Sequence, residues 1–383
     1  MVMAISLSQL LPRSALAFRG YNTTNLGRTP ELLAVPAYQP ILTSRLRRVA
    51  AVASDQLGRP VDLVRRVAER LPTGFEDYAD AVALVYAVEL GQLDLLRQVH
   101  GLDVAQAQMA YGYSLGEVVA LAAAGATPED EAIRAPLAMA DDCAALAEGV
   151  TMGVVFSRTL ALSEVEAHRL CADITSEGDG TIAVSAVLSP NTLIVLGQNG
   201  TLDRFRQAMS LLCPDRVYLR QNDSRWPPLH TPIVRQRSVP DRASVMIQSM
   251  RADASAAHPP VFSLVTGRMT ASEPSLHELL RLWIDHPQRL WDAVCVTLAS
   301  NVRSVIHVGP EPNLIPATFK RLKDNVLQQT SGNSVAGLSM RALKQLAGRP
   351  WLASIVPQRA SLLRAPEVEQ IILEDWLLEN VPG

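Results

Sequence analysis

"AYGYSLGEVVALAAAGA", residues 110–126, sets a serine between two glycines with a helix-forming run directly behind it. Gly112-Tyr113-Ser114-Leu115-Gly116 fits G-x-S-x-G, in which a strand turns sharply into a helix and lifts the serine on the bend. Glycines two positions before and after let neighbouring backbone pass without a Cβ clash. The first turn of the helix offers unpaired N–H groups, so the Leu115 amide is a candidate to face a developing oxyanion. Glu117 suits the positive end of the helix dipole and can tie the loop down. The competing reading is a plain N-cap on a flexible turn.

Working outward, "SALAFRG" reads as a first buried strand, followed by a polar loop from Asn22 to Arg28. Helical patterns follow in "SRLRRVAAVASDQL", "PVDLVRRVAERL" and "DYADAVALVYAVELGQLDLLRQV". Residues 150–220 change character: "MGVVFSR" as strand, "SEVEAHRLCADI" as helix, "TIAVSAV" and "NTLIVLGQ" as a hairpin, "TLDRFRQAMSLL" as helix and "RVYLRQ" as strand. That order, β-α-β-β-α-β, is the ferredoxin-like pattern. "PPVFSLV" and "VRSVIHVGP" then read as buried strands separated by helices, and "APEVEQIILEDWLLENVPG" as an amphipathic tail that docks on the body or on a partner. The expected fold is α/β: a hydrolase-like core with a mostly parallel sheet (1–149 and 221–345), an inserted ferredoxin-like subdomain (150–220) and a C-terminal helical extension (346–383).

The chain has 383 residues, 48% of them hydrophobic, which is ample for a large core. A formal net charge of −3 leaves no footprint for nucleic acid, and no apolar run reaches the ~20 residues that span a bilayer. The opening "MVMAISLSQLLPRSALAFRG" loosely imitates a signal peptide, but it lacks a basic start and Pro12-Arg13 interrupts it. Cys143, Cys171, Cys213 and Cys295 are scattered in apolar contexts without metal spacing, so reduced core thiols, a cytoplasmic location and no metal site are expected.

A nucleophilic serine needs a base. Among the histidines, His168 and His277 fall on helices, and His100 and His258 in loops. His230, in "RWPPLHTPIV", follows two prolines that stiffen its approach and comes straight after the inserted unit. His307, inside "SVIHVGP", is the second candidate.

"GYSLGEVVALAAAG" and then, after a ferredoxin-like unit, "PPLHTPIV" resemble the malonyl-CoA:acyl-carrier-protein transacylase family, which includes the acyltransferase domains of polyketide and fatty-acid synthases. "LSPNTLIVLGQNGTLDRF" is similar to that family's second hairpin and "VIHVGPEPNLIPATFKR" to its "EVGPGKVLTGLTKR"-like segment; the match runs from about Ala15 to Lys323. The resemblance implies Ser114 as acyl-accepting nucleophile, His230 as base, and the amides of Leu115 and Tyr21 as oxyanion hole. "DHPQRLW" corresponds to the segment that orients the histidine, which makes Gln288 a candidate, although a main-chain carbonyl can play that part. Acyl-CoA and a phosphopantetheinylated carrier protein are the implied substrates, with no bound cofactor.

Three departures bear on this. The family's first loop, F-P-G-Q-G, is here Phe18-Arg19-Gly20-Tyr21-Asn22; the backbone N–H survives but the glutamine is lost. Tyr113 stands where the elbow usually has histidine. The arginine that clamps malonyl's free carboxylate, twenty-five residues after the serine, is replaced by Met139. Arg134, about 140° away around a helix, cannot replace it, whereas Arg19 or Arg225 could bring charge from another direction. Leu229 adds a further apolar wall to an acyl pocket of Met139 and Tyr113, so uncharged acyl groups are expected. Two rivals remain: an α/β serine hydrolase using Ser114, Asp285 and His307, and a non-catalytic scaffold of the same fold.

Overall fold

A computed structural model describes residues 6–212, 217–222, 224–330, 350–356 and 359–382. Cys213, the first five residues of the signal-like stretch and residues 346–349 of the C-terminal segment lie outside the described residues.

Two four-stranded sheets organise the chain. The first contains β1 (Ser14–Phe18), β2 (Met109–Gly112), β7 (Ser304–Val308) and β8 (Glu369–Ile372), in the order β2-β1-β7-β8 and parallel throughout. β1, β2 and β7 are buried along their whole length, as strands covered on both faces must be. The second contains β3 (Val150–Ser157), β4 (Ile182–Ser189), β5 (Thr192–Gln198) and β6 (Val217–Asn222), in the order β4-β5-β3-β6 and antiparallel. With helices Glu164–Ser176 and Thr201–Leu212 between strands, this is the ferredoxin-like β-α-β-β-α-β arrangement. The β4–β5 hairpin turns at Pro190-Asn191, where proline ends the pairing.

Helix Tyr78–Gln98 threads the larger core and is buried from Tyr78 to Leu96, so its Glu89 and Gln92 are forced to find polar partners inside. Two expectations need correction. "PPVFSLV" is no full strand: Val261 only bridges to Ala110 beside β2, because Pro259 and Pro260 supply no N–H for a ladder. The C-terminal segment is also not purely helical. Glu369–Ile372 pairs with the open edge of β7, satisfying backbone groups that would otherwise be exposed, before helix Leu373–Glu379 begins. That helix docks on the body: Glu374 accepts from the Arg28 and Glu311 amides at 2.9 and 3.0 Å, and the Tyr38 hydroxyl donates to the Leu377 carbonyl at 2.8 Å.

Among the described residues no helix is long and apolar enough to cross a membrane, and no cluster of metal-ligating side chains occurs. Cys143, Cys171 and Cys295 are free and buried.

Candidate active site

The site forms at the C-terminal ends of β1 and β2, where parallel α/β sheets hold ligands. β2 ends at Gly112; two residues later Ser114 has φ 56° and ψ −121°, and helix Leu115–Ala123 starts at once. A non-glycine residue in this region is strained by about 1–3 kcal/mol, so neighbours must hold it. They do: the Ser114 N–H donates to Gln288 Oε1 at 3.0 Å, and Trp283 Nε1 donates to the Ser114 carbonyl at 2.9 Å. A Cβ on Gly112 would overlap the Gly116 backbone, and one on Gly116 would overlap the Phe18 and Arg19 carbonyls, so both glycines are sterically required. Glu117 is fully buried and accepts from the Leu264 N–H at 3.3 Å, anchoring the helix start. Burial pushes its carboxyl up to about 8, while the Ser263 hydroxyl and Leu264 N–H pull the other way.

His230 brings its Nε2 to 2.8 Å from Ser114 Oγ. Its backbone is left-handed at φ 65°, set by the stiff Pro227-Pro228 approach and by an N–H bond to the Ile284 carbonyl at 2.8 Å. The His230 Nδ1–H donates to the Trp283 carbonyl at 2.8 Å, which turns the Nε2 lone pair toward the serine. Gln288, expected to orient the imidazole, reaches Nδ1 only at 3.4 Å and with its own N–H₂ group, a donor facing a donor. Its firm contact is the Ser114 amide, and its backbone bonds to Ser185 and Val187 on β4 fasten the small sheet to the elbow. Burial pushes the His230 imidazole down to about 4, against the Trp283 carbonyl and the Asp285 charge, so the ring is neutral at physiological pH.

The hydrolase-type set of Ser114, Asp285 and His307 is not brought together. His307 Nε2 pairs with Gln370 Oε1 on β8 at 2.8 Å, and Asp285 is taken by Arg235 and by His286 Nδ1 at 2.6 Å. The parallel pairing of β7 and β8 commits His307 to the sheet.

The cleft over Ser114 spans about 530 Å³, part of it open to solvent. Tyr21, Tyr113, Met139, Leu229, Trp226 and Trp283 are among its walls, and none of its lining residues is Asp, Glu, Lys or Arg. Arg134 points outward to Asp55 at 2.8 Å. Arg225 is exposed and not part of the lining. Arg19 is fully buried, with its guanidinium on the Gly20 carbonyl, the Pro310 carbonyl and Asn25 Oδ1, and its backbone N–H on Glu89 Oε1 at 2.7 Å. It braces the first loop and does not reach the cleft. The Tyr21 ring packs edge-on against Tyr78 and Trp226 at 4.8 and 5.8 Å. Neither the Leu115 nor the Tyr21 N–H has an acceptor among the described residues, and both residues line the cleft with Ser114.

Trp283 and the Arg19–Glu89–Asn25 brace were missed from sequence. Trp283 sits on the apolar stripe of helix Leu276–Asp285 and reads as core. Glu89 and Gln92, one turn apart in an otherwise apolar helix, are the signal that could have flagged the brace.

The two sheets and their linkage define the fold of the malonyl-CoA:acyl-carrier-protein transacylases and of polyketide-synthase acyltransferase domains. The chain resembles FabD from Acinetobacter baumannii at 16% identity and TM-score 0.63, covering 81% of this chain and 91% of that one. An acyl carrier protein S-malonyltransferase from Vibrio cholerae matches at 19% identity and TM-score 0.61, covering 94% and 97%. The acyltransferase domain from module 8 of the salinomycin polyketide synthase matches at 19% and 0.64, covering 95% of this chain and 72% of that one. No protein-family model and no curated protein sequence matches.

Proposed function

We propose that this chain is an acyltransferase that moves an acyl group from a coenzyme A thioester to the phosphopantetheine thiol of a carrier protein through an acyl-Ser114 intermediate, and that it prefers uncharged acyl groups to malonyl. The reading rests on the 2.8 Å contact of Ser114 Oγ with a neutral, oriented His230 at the floor of an uncharged cleft. The fold shared with transferases of that class supports it.

In the first half-reaction His230 Nε2 takes the Ser114 proton as Oγ attacks the thioester carbonyl. The oxyanion collects the Leu115 and Tyr21 N–H groups, donors that need no reorganisation. Collapse breaks the carbon–sulfur bond, and the imidazolium returns its proton to the leaving thiolate. In the second half the carrier thiol gives its proton to Nε2, its sulfur takes the acyl group, and Oγ leaves protonated. The Trp283 carbonyl stabilises the transient imidazolium and no carboxylate partner is needed. The chemistry calls for no resident cofactor, and the free buried thiols suit a reducing, cytoplasmic setting. Residues 150–220 act in this reading as an inserted subdomain whose β4 closes the cleft through Ser185, with 1–149 and 221–345 as the body.

The test is steady-state transfer from acetyl-CoA to pantetheine or a holo carrier protein. Ping-pong kinetics, abolished by Ser114→Ala, are expected. Hydrolysis outpacing transfer would overturn the reading in favour of a hydrolase, and neither product forming would favour a scaffold.

A further inference from the structure

A second apolar space of about 330 Å³, part of it open to solvent, adjoins the cleft, and Pro136, Met139 and Trp283 line both. Val118 and Leu121 form part of its wall. They stand on the elbow helix about 6 and 10 Å beyond Ser114 along the axis, so the cavity runs away from Oγ along that helix. Ile247 and Met250 also line it. The lining is apolar except at Thr127, past the C-terminal end of the helix, whose buried hydroxyl has no hydrogen-bond partner among the described residues. Close-packed interiors keep few such spaces, and this one shares a wall with the reaction cleft. It is a narrow slot that must widen to take a chain. Met139 and Met250 are unbranched and can turn aside at low cost.

We infer that this cavity receives the distal hydrocarbon of the acyl group carried on Ser114, with Met139 as a movable partition, so that the substrates are linear saturated acyl chains that run past the cleft. The inference rests on the acyltransferase reading and names its substrate class. A hydrocarbon fits because neither space offers a cation to a carboxylate. Burying each methylene beyond the partition is expected to raise kcat/KM for acylation about 4-fold. The gain stops where the chain meets the Thr127 hydroxyl.

The experiment uses the full chain with acetyl-, butyryl-, hexanoyl- and octanoyl-CoA, reading the initial rate of adduct formation by intact mass. Loading is expected to rise with length over part of the series. Ile247→Trp, which fills the slot from a wall outside the cleft, is expected to lower the hexanoyl-to-acetyl ratio at least ~10-fold, and Ile247→Ala to move the optimum to longer chains. Acetyl loading fastest with a steady fall along the series, or a ratio unmoved in both variants, overturns the inference while leaving the acyltransferase reading intact. No adduct from any thioester overturns both.

Discussion

Met139→Arg is the perturbation whose outcome is most tightly bound to the geometry. Met139 is 3% exposed and faces the space over Ser114 and His230, which has no charged wall. In the wild type a malonyl carboxylate enters that space unpaired, a penalty of several kcal/mol in full burial and less where solvent reaches it. A guanidinium at this position can bond the carboxylate through two charge-assisted hydrogen bonds, each about 1.5–3 kcal/mol net. Desolvating the arginine offsets part of that gain, leaving about 2–3 kcal/mol in favour of malonyl, roughly 30- to 150-fold in the ratio of kcat/KM values. The assay is competition: malonyl-CoA and acetyl-CoA at equal concentration, with adducts resolved by intact mass. Wild type is expected to carry mainly acetyl and Met139→Arg mainly malonyl, with hexanoyl loading lost because the same residue borders the second cavity. Thermal unfolding confirms that the variant is folded before its ratio is read. Malonyl winning in the wild type, or an unmoved ratio in a folded variant, would refute the reasoning.

Four further outcomes follow from the site. Because burial holds the His230 imidazole near 4, kcat/KM for acylation should stay level from about pH 8 to about pH 5 and fall with a midpoint near 4; a midpoint near the ordinary histidine value of about 6.5 contradicts this. His230→Ala should slow acylation about 10²- to 10⁴-fold. A Cβ on Gly20 would sit 2.6 Å from the Tyr113 carbonyl oxygen and 3.0 Å from Ser114 Cβ, so Gly20→Ala should displace the Tyr21 backbone, cut kcat about 100-fold and cost about 1–3 kcal/mol of stability, read as a lowered unfolding temperature. Glu117, raised to about 8 in the fold from an ordinary 4.5, contributes stability that is full below about pH 4.5 and is lost as pH rises through 8, by up to roughly 5 kcal/mol. Urea unfolding should therefore show wild type losing stability relative to Glu117→Gln between about pH 5 and about pH 8; parallel curves would be the contrary result.

What could be read from sequence was whatever local periodicity and steric need dictate. The short, β-branched apolar runs in "TIAVSAV" and "NTLIVLGQ", broken at Pro190-Asn191, admit little besides the β4–β5 hairpin. Gly112 and Gly116 announce the elbow because no other residue fits against the passing backbone. Main-chain groups carry no such signature, so the Trp283 carbonyl that orients His230 was invisible while the side chain of Gln288 drew attention. Arg19 is expected as a source of charge for the cleft, but arginines are seldom wholly buried, and the carbonyl and amide acceptors that make its burial tolerable come from distant segments that sequence does not bring together. Glu369–Ile372 is short and ambiguous, and its strand state is decided by the open edge of β7, a tertiary condition.

The central claim is that one hydroxyl, Ser114 Oγ, carries the acyl group. Mixing the protein with acetyl-CoA, quenching in acid and mapping peptides by mass spectrometry tests it directly. An acetyl increment on the peptide containing Ser114, absent from Ser114→Ala and strongly slowed in His230→Ala, is the predicted result. Acylation at another residue, or undiminished acylation in Ser114→Ala, would contradict the account.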